Sequence, residues 1–236
     1  LSSWLNAAVS SFSFSSLKLE SGLSQLSVLK IHQDKSGIMW FATRNGLNRY
    51  DGNSFVVYKH SNGDSLSLSS NHITALAEDD RGNLWVGTMN GLNRLDLTTN
   101  RITSYNDISV YAQSPLRGIW ISSLYVDKQK RFWVGTNKGL FLYDYADGSF
   151  IPIDLNGKLP KDQIMVISED RNENLLIGTN GNGLYICDSE QNFLSHYFKN
   201  TTPSSLTDNN ISAIHEGPDG CLWVGTRLSG LNRIDT

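Results

Sequence analysis

The residues of this chain that are best suited to chemistry are aspartates that recur at regular intervals. A pair of carboxylates can act as the general acid and general base of a glycoside hydrolase. The recurring aspartates lie in turn signals and at predicted strand ends: Asp34, Asp51, Asp79, Asp96, Asp127, Asp144, Asp170, Asp188 and Asp235. An active site needs residues that occur once, so their repetition favours turn capping and predicts no catalytic residue among them.

The five histidines do not form a motif typical of catalysis or metal binding. His32 and His215 fall at equivalent points at the ends of predicted strands, whereas His60, His72 and His196 lie in or beside connections. Neither an HExxH motif nor a Ser-His-Asp order is present. We therefore expect structural histidines, and neither a metal nor another cofactor.

The two cysteines are Cys187 and Cys221, and they lack the CxxC spacing typical of metal sites. They lie in different repeats, so a disulfide would require the fold to bring their Cα atoms within about 6 Å. We expect two buried free thiols.

Length and charge exclude some classes of function. With 236 residues, the chain is long enough for one large all-β domain. It has 20 basic and 23 acidic residues, a formal net charge of -3 and no basic stripe. We therefore expect no nucleic-acid partner and no attraction to an anionic membrane surface.

The first residues of the chain are apolar and rich in serine, from Leu1 to Ser16. They fit either the remnant of a secretory signal peptide that ends near Ala8 or Ser10, or an outer strand with an irregular lead. Serines interrupt this stretch, so we expect no direct membrane insertion by this chain.

A repeat organises the rest of the chain. Tryptophans followed by a small or β-branched pair and a threonine recur as WFAT or WVGT, and a leucine takes the tryptophan position once: Trp40, Trp85, Trp133, Leu176 and Trp223. Their separations of 43 to 48 residues suit either a propeller blade or a pair of helices.

The local pattern favours strands over helices. Apolar alternation such as ITALAE at 73–78 precedes each anchor, and a turn such as DDRG at 79–82 separates the two. A second turn ending in glycine, a third strand and an outer strand follow. Five units of up to four short antiparallel strands predict an all-β fold, a β-propeller.

The repeated tryptophans are predicted to pack between blades, since one blade cannot bury both faces of its own sheet. The residue two positions after each anchor is small and is predicted to let the neighbouring sheet approach closely: Ala42, Gly87, Gly135, Gly178 and Gly225. An alternative role for the tryptophans, as platforms for sugar rings, is less favoured.

The repeated pattern D-x-x-G-x-[LI]-W-[VF]-[GA]-T-x-x-G-L-x-x-[YL]-D resembles the two-component regulator propeller repeat. That repeat is found in the periplasmic sensor regions of hybrid histidine kinases, especially those of Bacteroidetes, and the resemblance covers residues 22–236. Three positions depart from it, because Lys130 and Glu173 replace glycine and Leu176 replaces tryptophan. We therefore expect less regular hairpins in the third and fourth blades.

The resemblance implies an extracytoplasmic sensor segment without enzymatic activity of its own, with any kinase activity lying downstream. It implies an oligosaccharide or other glycan ligand, contacts with the rest of the propeller and with downstream sensor domains, and a homodimeric receptor. One alternative is a structural or protein-interaction segment without its own ligand site. A more distant alternative is an enzyme similar to the streptogramin lyases, which use histidine and a magnesium ion.

A candidate ligand face follows from propeller geometry, which places the turns between second and third strands on the same side as the connections between blades. Those connections are 59–72, 106–119, 154–163 and 199–210, and they are rich in Ser, Asn, Asp and Gly. Amide, cationic and aromatic side chains there suit a sugar: Arg44, Asn45, Asn90, Tyr111, Trp120, Asn137, Lys138, Asn180, Asn182 and Arg227. For each residue taken separately, an ordinary solvated loop is the favoured interpretation, so we expect a weak or absent glycan site on this face in the isolated segment.

The number of blades and the closure of the ring are the remaining structural expectations. The predicted repeats are 22–67, 68–113, 114–158, 159–206 and 207–236, preceded by a lead and outer strand within 1–21. We favour an open or partial propeller cut from a larger protein, since the resemblance implies a ring of seven blades. In the alternative, residues 11–18 supply a fourth strand to the last blade and close a ring of five.

Overall fold

The computed structural model describes residues 13–106, 111, 113–202 and 205–235. These residues form nineteen strands in five antiparallel sheets, and one short 3-10 helix at Leu19–Ser21. Each sheet is one blade, and the blades are numbered 1 to 5 along the chain. The predicted all-β propeller of antiparallel blades is confirmed.

The strands of the first three blades are β1 (Val28–Gln33), β2 (Met39–Thr43), β3 (Gly46–Tyr50), β4 (Phe55–Tyr58), β5 (Ile73–Glu78), β6 (Asn83–Thr88), β7 (Gly91–Asp96), β8 (Ile102–Ser104), β9 (Ile121–Val126), β10 (Phe132–Thr136), β11 (Gly139–Tyr143) and β12 (Phe150–Ile153). Blades 4 and 5 contain β13 (Ile164–Glu169), β14 (Leu175–Thr179), β15 (Leu184–Cys187), β16 (Phe193–Tyr197), β17 (Ile211–Glu216), β18 (Leu222–Thr226) and β19 (Leu231–Ile234). Blade 5 has three strands among the described residues, and the other blades have four.

Strands pair in sequence order within every blade. The first strands β1, β5, β9, β13 and β17 contact one another in succession, so they line the inner side of the array. In blade 2, Trp85 on β6 lies opposite Ala77 on β5 and Arg94 on β7. This register puts alternate residues of each second strand on opposite faces of the blade.

Four apolar clusters fill the spaces between consecutive blades. Between blades 1 and 2, Trp40 and Leu47 of one sheet pack against Leu84 and Val86 of the next. The anchors Trp40, Trp85, Trp133 and Leu176 are at most 1% exposed, which confirms the predicted packing between blades. Burying one tryptophan ring contributes about 4–6 kcal/mol as an upper bound.

A buried carboxylate accepts the indole N–H of each anchor in blades 1 to 3. The distance from indole Nε1 to aspartate Oδ2 is 2.8 Å for Trp40 and Asp34, for Trp85 and Asp79, and for Trp133 and Asp127. The same aspartates accept turn N–H groups, for example from Arg81 and Asn83 onto Asp79 Oδ1. The prediction of turn capping is therefore confirmed for these three aspartates. Each also accepts a hydrogen bond from the indole of its anchor tryptophan.

The two later blades change this arrangement. In blade 4, where Leu176 has no N–H to donate, Asp170 Oδ2 accepts the side-chain amide of Asn174 at 2.8 Å. In blade 5, Gly217 stands at the aspartate position, and a Cβ there would lie 3.1 Å from the indole nitrogen of Trp223. Trp223 is 37% exposed.

The small residue two positions after the anchor lets the next blade approach. A Cβ added to Gly87 would lie 2.7 Å from Ile121 Cγ2 of blade 3, and one added to Gly178 would lie 2.7 Å from Ile211 Cγ2 of blade 5. Such distances are too short for a real side chain, so the predicted close approach is confirmed at both positions.

The first hairpins of blades 3 and 4 are as regular as the others, so the expected irregularity at Lys130 and Glu173 is wrong. Both residues keep the left-handed backbone that glycine would adopt, with φ of 67° and 65°. Leu176 is fully buried in place of the tryptophan. The left-handed conformation costs each residue about 1–2 kcal/mol, and the register of the flanking strands stays the same.

Three interfaces between blades also carry an electrostatic contact, here called the clasp. It joins the residue that follows the turn aspartate of one blade to a glutamate that ends the first strand of the next blade. Lys35 donates its backbone N–H to Glu78 at 3.1 Å and its ammonium to the carbonyl of Asp79 at 2.9 Å. Lys128 makes the same two contacts with Glu169 and Asp170.

The third clasp joins blades 4 and 5. Arg171 donates its backbone N–H and guanidinium to Glu216, and a further guanidinium N–H to the carbonyl of Gly217 at 2.9 Å. The interface between blades 2 and 3 has neither clasp residue. There, the Arg81 guanidinium lies 4.0 Å from the ring centre of Tyr145, whose hydroxyl donates to Asp79.

The residues that lead into β1 attach to blade 1. The backbone N–H of Ser24 donates to Asn48 Oδ1 at 2.8 Å, as the N–H of Ser69 donates to Asn93 Oδ1 at 2.9 Å in blade 2. Residues 13–18 form no strand, so the described part of 11–18 does not complete blade 5. Closure at five blades is thus not observed among the described residues, while residues 1–12, including the predicted signal-peptide remnant, lie outside them.

Both cysteines are buried free thiols. Burial raises the pKa of Cys187 to about 12, so its thiol stays protonated at neutral pH.

The indole to carboxylate hydrogen bond can be tested by comparing two tryptophans. Trp85→Phe leaves the buried Asp79 carboxylate without its indole donor, so we expect a loss of about 2 kcal/mol in the free energy of unfolding. Trp223→Phe, at the position where Gly217 replaces the aspartate, is expected to cost less than about 0.5 kcal/mol. Urea unfolding followed by far-ultraviolet circular dichroism measures both, and equal losses would contradict this assignment.

The left-handed turn residues give a second prediction. Lys130→Gly relieves backbone strain, and we expect it to raise the free energy of unfolding by about 0.5–1 kcal/mol. The reverse change at the same turn position of blade 2, Gly82→Lys, is expected to lower it by a similar amount, since no atom lies within 4 Å of the added Cβ. A stabilising Gly82→Lys would show that the backbone is not the cause.

Candidate functional site

The loop face consists of the turns between second and third strands together with the connections that lead into each blade. Backbone hydrogen bonds join the two sets of loops: the N–H of Gly46 donates to Asn71 O at 2.8 Å, and the N–H of Gly91 donates to Ile119 O at 2.8 Å. The N–H of Arg227 donates to Asn210 O in the same way. The residues predicted for a common face therefore sit on loops that touch.

Each turn of the loop face is held by the threonine that ends the second strand. Thr88 Oγ1 donates to Gly91 O at 2.9 Å and accepts the N–H of Asn90 at 3.0 Å. The same donation to the glycine carbonyl occurs at Thr43, Thr136, Thr179 and Thr226. The threonines are buried or nearly so, and they fix the turns without being available to a ligand.

A leucine anchors the base of every connection. The anchoring leucines, at most 7% exposed, are Leu23, Leu68, Leu116, Leu159 and Leu206. Four of them belong to the clusters between blades. Sequence reasoning missed this role, although the repeated stretches GLSQ, SLSS and SLTD carried the signal.

Several candidate amides are occupied by contacts inside the protein. The side chains of Asn45 and Asn90 donate to the carbonyls of Ser24 and Ser69, so they brace a turn against a connection. Asn180 donates to Gln163 Oε1 at 3.1 Å, and Asn182 donates to Asp162 Oδ2 at 2.7 Å. These amides can contact a ligand only with their remaining donor and acceptor positions.

Four candidate side chains are exposed at the turn tips: Arg44, Asn137, Lys138 and Arg227. Their backbone N–H groups are engaged inside the protein: that of Lys138 donates to Thr136 Oγ1 within the turn, and the others donate to residues of the connections. Burial and the nearby Arg44 charge lower the pKa of His72, which is therefore neutral at pH 7. The cationic tips of Arg44, Lys138 and Arg227 belong to three different blades.

The two aromatic candidates are half-buried, and the carbonyl of Trp120 accepts the N–H of Asn137 at 3.1 Å. Tyr111 packs its ring 4.7 Å from that of Tyr105, at the edge of the cluster around Trp85, so it belongs partly to the core. Trp120 is half-buried, and its indole N–H is buried without a hydrogen-bond partner among the described residues. Neither ring lines a described pocket with the other candidate residues.

One open pocket of the loop face is bordered by many polar residues. It has a volume of about 330 Å³ and lies over blade 2, between the 59–69 connection and the end of β8. Hydroxyl, amide, imidazole and carboxylate groups line it: His60, Ser61, Asp64, Ser65, Ser67, Ser69, Asn90, Ser104 and Asn106. Asn90 is the one sequence-predicted site residue among them.

Internal hydrogen bonds hold the pocket wall in place. The His60 ring contacts Leu68 O at 2.6 Å through Nδ1 and Asn62 Oδ1 at 3.0 Å through Nε2. Ser67 Oγ donates to Asp64 O, and Asn106 Oδ1 accepts the N–H of Gly118. A sequence signal for this wall was the density of Ser, Asn, Asp and Gly in 59–72, which by itself is also typical of any surface loop.

A smaller space of about 130 Å³ lies among the first strands, near the axis of the array. Met165, Val166 and Ile167 from β13 border it together with Ser123 and Ser212, and Lys30 supplies the charged group. Its size suits a few water molecules and not a sugar ring.

Four segments of the chain match the family model described as two component regulator propeller, at residues 22–45, 67–90, 115–138 and 205–227. These four segments are two-component regulator propeller repeats. Each matched segment begins at an anchoring leucine or just before it and runs through the first two strands to the loop-face turn. The matched segments leave out blade 4, where Leu176 replaces the tryptophan.

Relatives of these repeats occur in signalling proteins. Histidine kinase P4 of Formosa agariphila is 48% identical over 65 residues, which is 28% of this chain and 5% of that protein. A structure described as the extracellular domain of a hybrid two component system from B. thetaiotaomicron is 24% identical with a TM-score of 0.49, over 94% of this chain and 41% of that one. This chain thus spans less than half of either relative.

A third relative shares the fold. Virginiamycin B lyase from Staphylococcus aureus is 17% identical with a TM-score of 0.61, over 87% of this chain and 69% of that one. In the described residues the histidines do not converge. His196 stacks 3.9 Å from the Tyr185 ring, His60 lies in its own connection, and His32 pairs with Glu78.

The described part of the chain contains neither a metal-binding cluster nor a membrane-spanning helix. No group of three or more His, Cys, Asp or Glu side chains is arranged there to hold a metal ion. No described helix is long and apolar enough to cross a bilayer.

The aspartates between third and fourth strands are built for turns and not for proton transfer. Backbone N–H groups lower the pKa of Asp51 and Asp96, and the amide side chain and backbone N–H of Asn192 lower that of Asp188. A general acid needs a raised pKa, so these carboxylates are unsuited to that role at neutral pH.

These turns predict acid sensitivity. Because the folded pKa of Asp96 lies below its ordinary value of 3.8, its contribution to stability is complete above 3.8 and is lost as pH falls through the folded value. We expect the urea midpoint to fall between about pH 5 and pH 2, and to fall less in Asp96→Asn, whose amide oxygen keeps the turn contacts. Asp80→Asn, which replaces an exposed carboxylate in another turn of blade 2, serves as control. Its urea midpoint should fall with pH as that of the wild type does.

Proposed function

We propose that this chain is a ligand-sensing propeller segment of a two-component signalling receptor, placed on the periplasmic or extracytoplasmic side of the inner membrane, and that its ligand is an oligosaccharide. The matching repeats support the receptor assignment, since they are named for two-component regulators. The hydroxyl- and amide-lined pocket over blade 2 is the observation that carries the ligand assignment.

The pocket chemistry suits a glycan better than a polyanionic ligand. Its polar groups offer donors and acceptors at short range to sugar hydroxyls, and Asp64 disfavours a phosphate-rich ligand. Leu68 adds an apolar contact for the carbon face of a ring. Exposed Arg44 and Lys138, at the turn tips of the two blades that flank blade 2, would favour a glycan that carries an acidic group.

On this proposal the chain binds and does not catalyse, and kinase activity belongs to a part of the receptor downstream of residue 236. Its partners are the remaining propeller, the downstream sensor domains and, in the full receptor, a second subunit. We propose no nucleic-acid partner and no direct insertion of this chain into a membrane.

A structural or protein-interaction segment is the second candidate function. The bracing contacts of Asn45, Asn90, Asn180 and Asn182 favour it, because they commit much of the loop face to holding blades and connections together. Binding measurements separate the two candidates.

We expect isothermal titration calorimetry with a panel of neutral and acidic oligosaccharides to reveal at least one ligand. Asn90→Ala is expected to weaken its binding about tenfold, since one polar contact with a bound ligand is worth about 1.4 kcal/mol. The matched control is Asn45→Ala, which removes the same brace from blade 1 but lies outside the pocket. A panel without any binder, or equal weakening by both variants, would favour the structural segment.

A further inference from the structure

Six asparagines of this chain are followed directly by glycine: Asn45, Asn62, Asn90, Asn156, Asn180 and Asn182. Such a pair can react within the chain, because glycine lacks a Cβ and leaves its backbone nitrogen open to the side-chain amide beside it. Asparagine is accordingly among the thermally labile residues of proteins. The surroundings that the fold gives each pair decide which of the six can react.

Four of the pairs lie in turns of the loop face, where both partners of the reaction are held. The backbone N–H of the glycine donates to a carbonyl of the adjoining connection, at 2.8 to 3.2 Å, in each of them: Gly46, Gly91, Gly181 and Gly183. The asparagine side chains make the bracing contacts described for the loop face. A nitrogen whose hydrogen is bound in this way cannot attack until that bond breaks.

The two remaining pairs lie in connections between blades, at Asn62–Gly63 and Asn156–Gly157. All four residues are exposed. Among the described residues, neither glycine N–H has a hydrogen-bond partner. A Cβ added to either glycine would meet no atom within 4 Å, so the space beside the backbone is open. The restraint that the other four pairs share is therefore missing here.

A long backbone hydrogen bond closes the turn that carries each of these two pairs. The N–H of Asp64 donates to Ser61 O at 3.2 Å, and the N–H of Lys158 donates to Leu155 O at 3.3 Å. Both distances lie at or beyond the long end of the usual range of about 2.7–3.2 Å. Exposed turns with few contacts open locally at low cost, so these tips can reach the geometry that the reaction needs.

We propose that Asn62 and Asn156 are sites of spontaneous deamidation in the folded chain, and that the other four pairs are protected by their glycine hydrogen bonds. The glycine nitrogen gives up its proton to solvent and attacks the asparagine Cγ. The new N–Cγ bond closes a cyclic imide, while the Cγ–Nδ2 bond breaks and Nδ2 takes up a proton and leaves as ammonia. Water then opens the imide at either carbonyl carbon, which leaves aspartate or isoaspartate.

Deamidation at Asn62 changes the charge beside the pocket over blade 2. Asn62 lies between two residues that line this pocket, Ser61 and Gly63, and its Oδ1 lies 3.0 Å from His60 Nε2. The product adds a carboxylate to the wall that already contains Asp64, so an acidic glycan would be repelled. This consequence rests on the proposed function, whereas the deamidation does not, so the two can fail separately.

Peptide mapping by mass spectrometry of the full chain, folded and unfolded in guanidinium chloride, tests the proposal. Both samples are kept at the same mildly alkaline pH until the unfolded chain has reacted at all six pairs, which we expect to occur at similar rates. In the folded chain, Asn62 and Asn156 are expected to react at least about tenfold faster than the other four, since a hydrogen bond that must first break adds to the barrier.

Native isoelectric focusing of variants provides the matched control. The wild type is expected to gain acidic forms during the incubation, and the double variant Asn62→Gln with Asn156→Gln is expected to keep its charge, because the longer glutamine side chain closes a less favourable ring. Asn45→Gln removes one of the protected pairs and should become acidic as the wild type does. Circular dichroism spectra equal to that of the wild type establish that the variants are folded.

Two results would overturn the proposal. One is a folded chain in which any of the four loop-face pairs reacts as fast as Asn62 or Asn156. The other is a double variant that gains acidic forms at the rate of the wild type although it is folded.

Discussion

The contact on which the rest of the structure depends is a large apolar side chain clamped between two blades and tied to a turn beneath it. In blades 1 to 3 the turn carboxylate accepts both the backbone N–H groups of its own hairpin and the indole N–H above it. One aspartate thereby fixes the hairpin and the orientation of the ring that fills the interface. Because a charged acceptor in a buried site is costly without donors, the carboxylate and the ring depend on each other.

The two end blades differ from each other in the side chains that they leave exposed. Interior blades have both faces covered, and each adds an interface of the same kind, so stability grows by nearest-neighbour increments as in other repeat proteins. Blade 5 has lost the carboxylate at Gly217 and exposes Trp223, whereas blade 1 exposes aliphatic and aromatic side chains without tryptophan. The unlike character of the two ends gives the array a direction.

The sequence predicted the features that repeat. The tryptophan period, the turn aspartates and the glycines two residues beyond each anchor were sufficient for blades, strand order and packing between blades, because each reflects a local steric or hydrogen-bonding need. Lys130 and Glu173 were misread as signs of irregularity, since their backbone accepts the left-handed conformation at modest cost. The indole partner of Asp79 and the clasp between Lys35 and Glu78 were missed, because they join residues whose proximity only the register reveals.

The candidate site was less accessible to sequence reasoning. Of the ten residues predicted for it, Asn90 lines the pocket, Tyr111 packs partly into the core, and the bracing amides are engaged in holding loops. The pocket wall comes from His60, Asp64 and the serines of one connection, whose composition resembles that of any solvated loop. What distinguishes it is the hydrogen-bonded shape of the loop, which depends on contacts and not on composition.

The buried leucine at the base of each connection has a consequence for how such a face can diversify. Leu68 and its equivalents pin the point where a connection enters the next blade, so residues ahead of that point are tethered at both ends to rigid sheet. The entropy cost of a longer tethered segment rises only with the logarithm of its length. Insertions ahead of the leucine can therefore reshape the binding surface of one blade while the spacing of the blades stays unchanged.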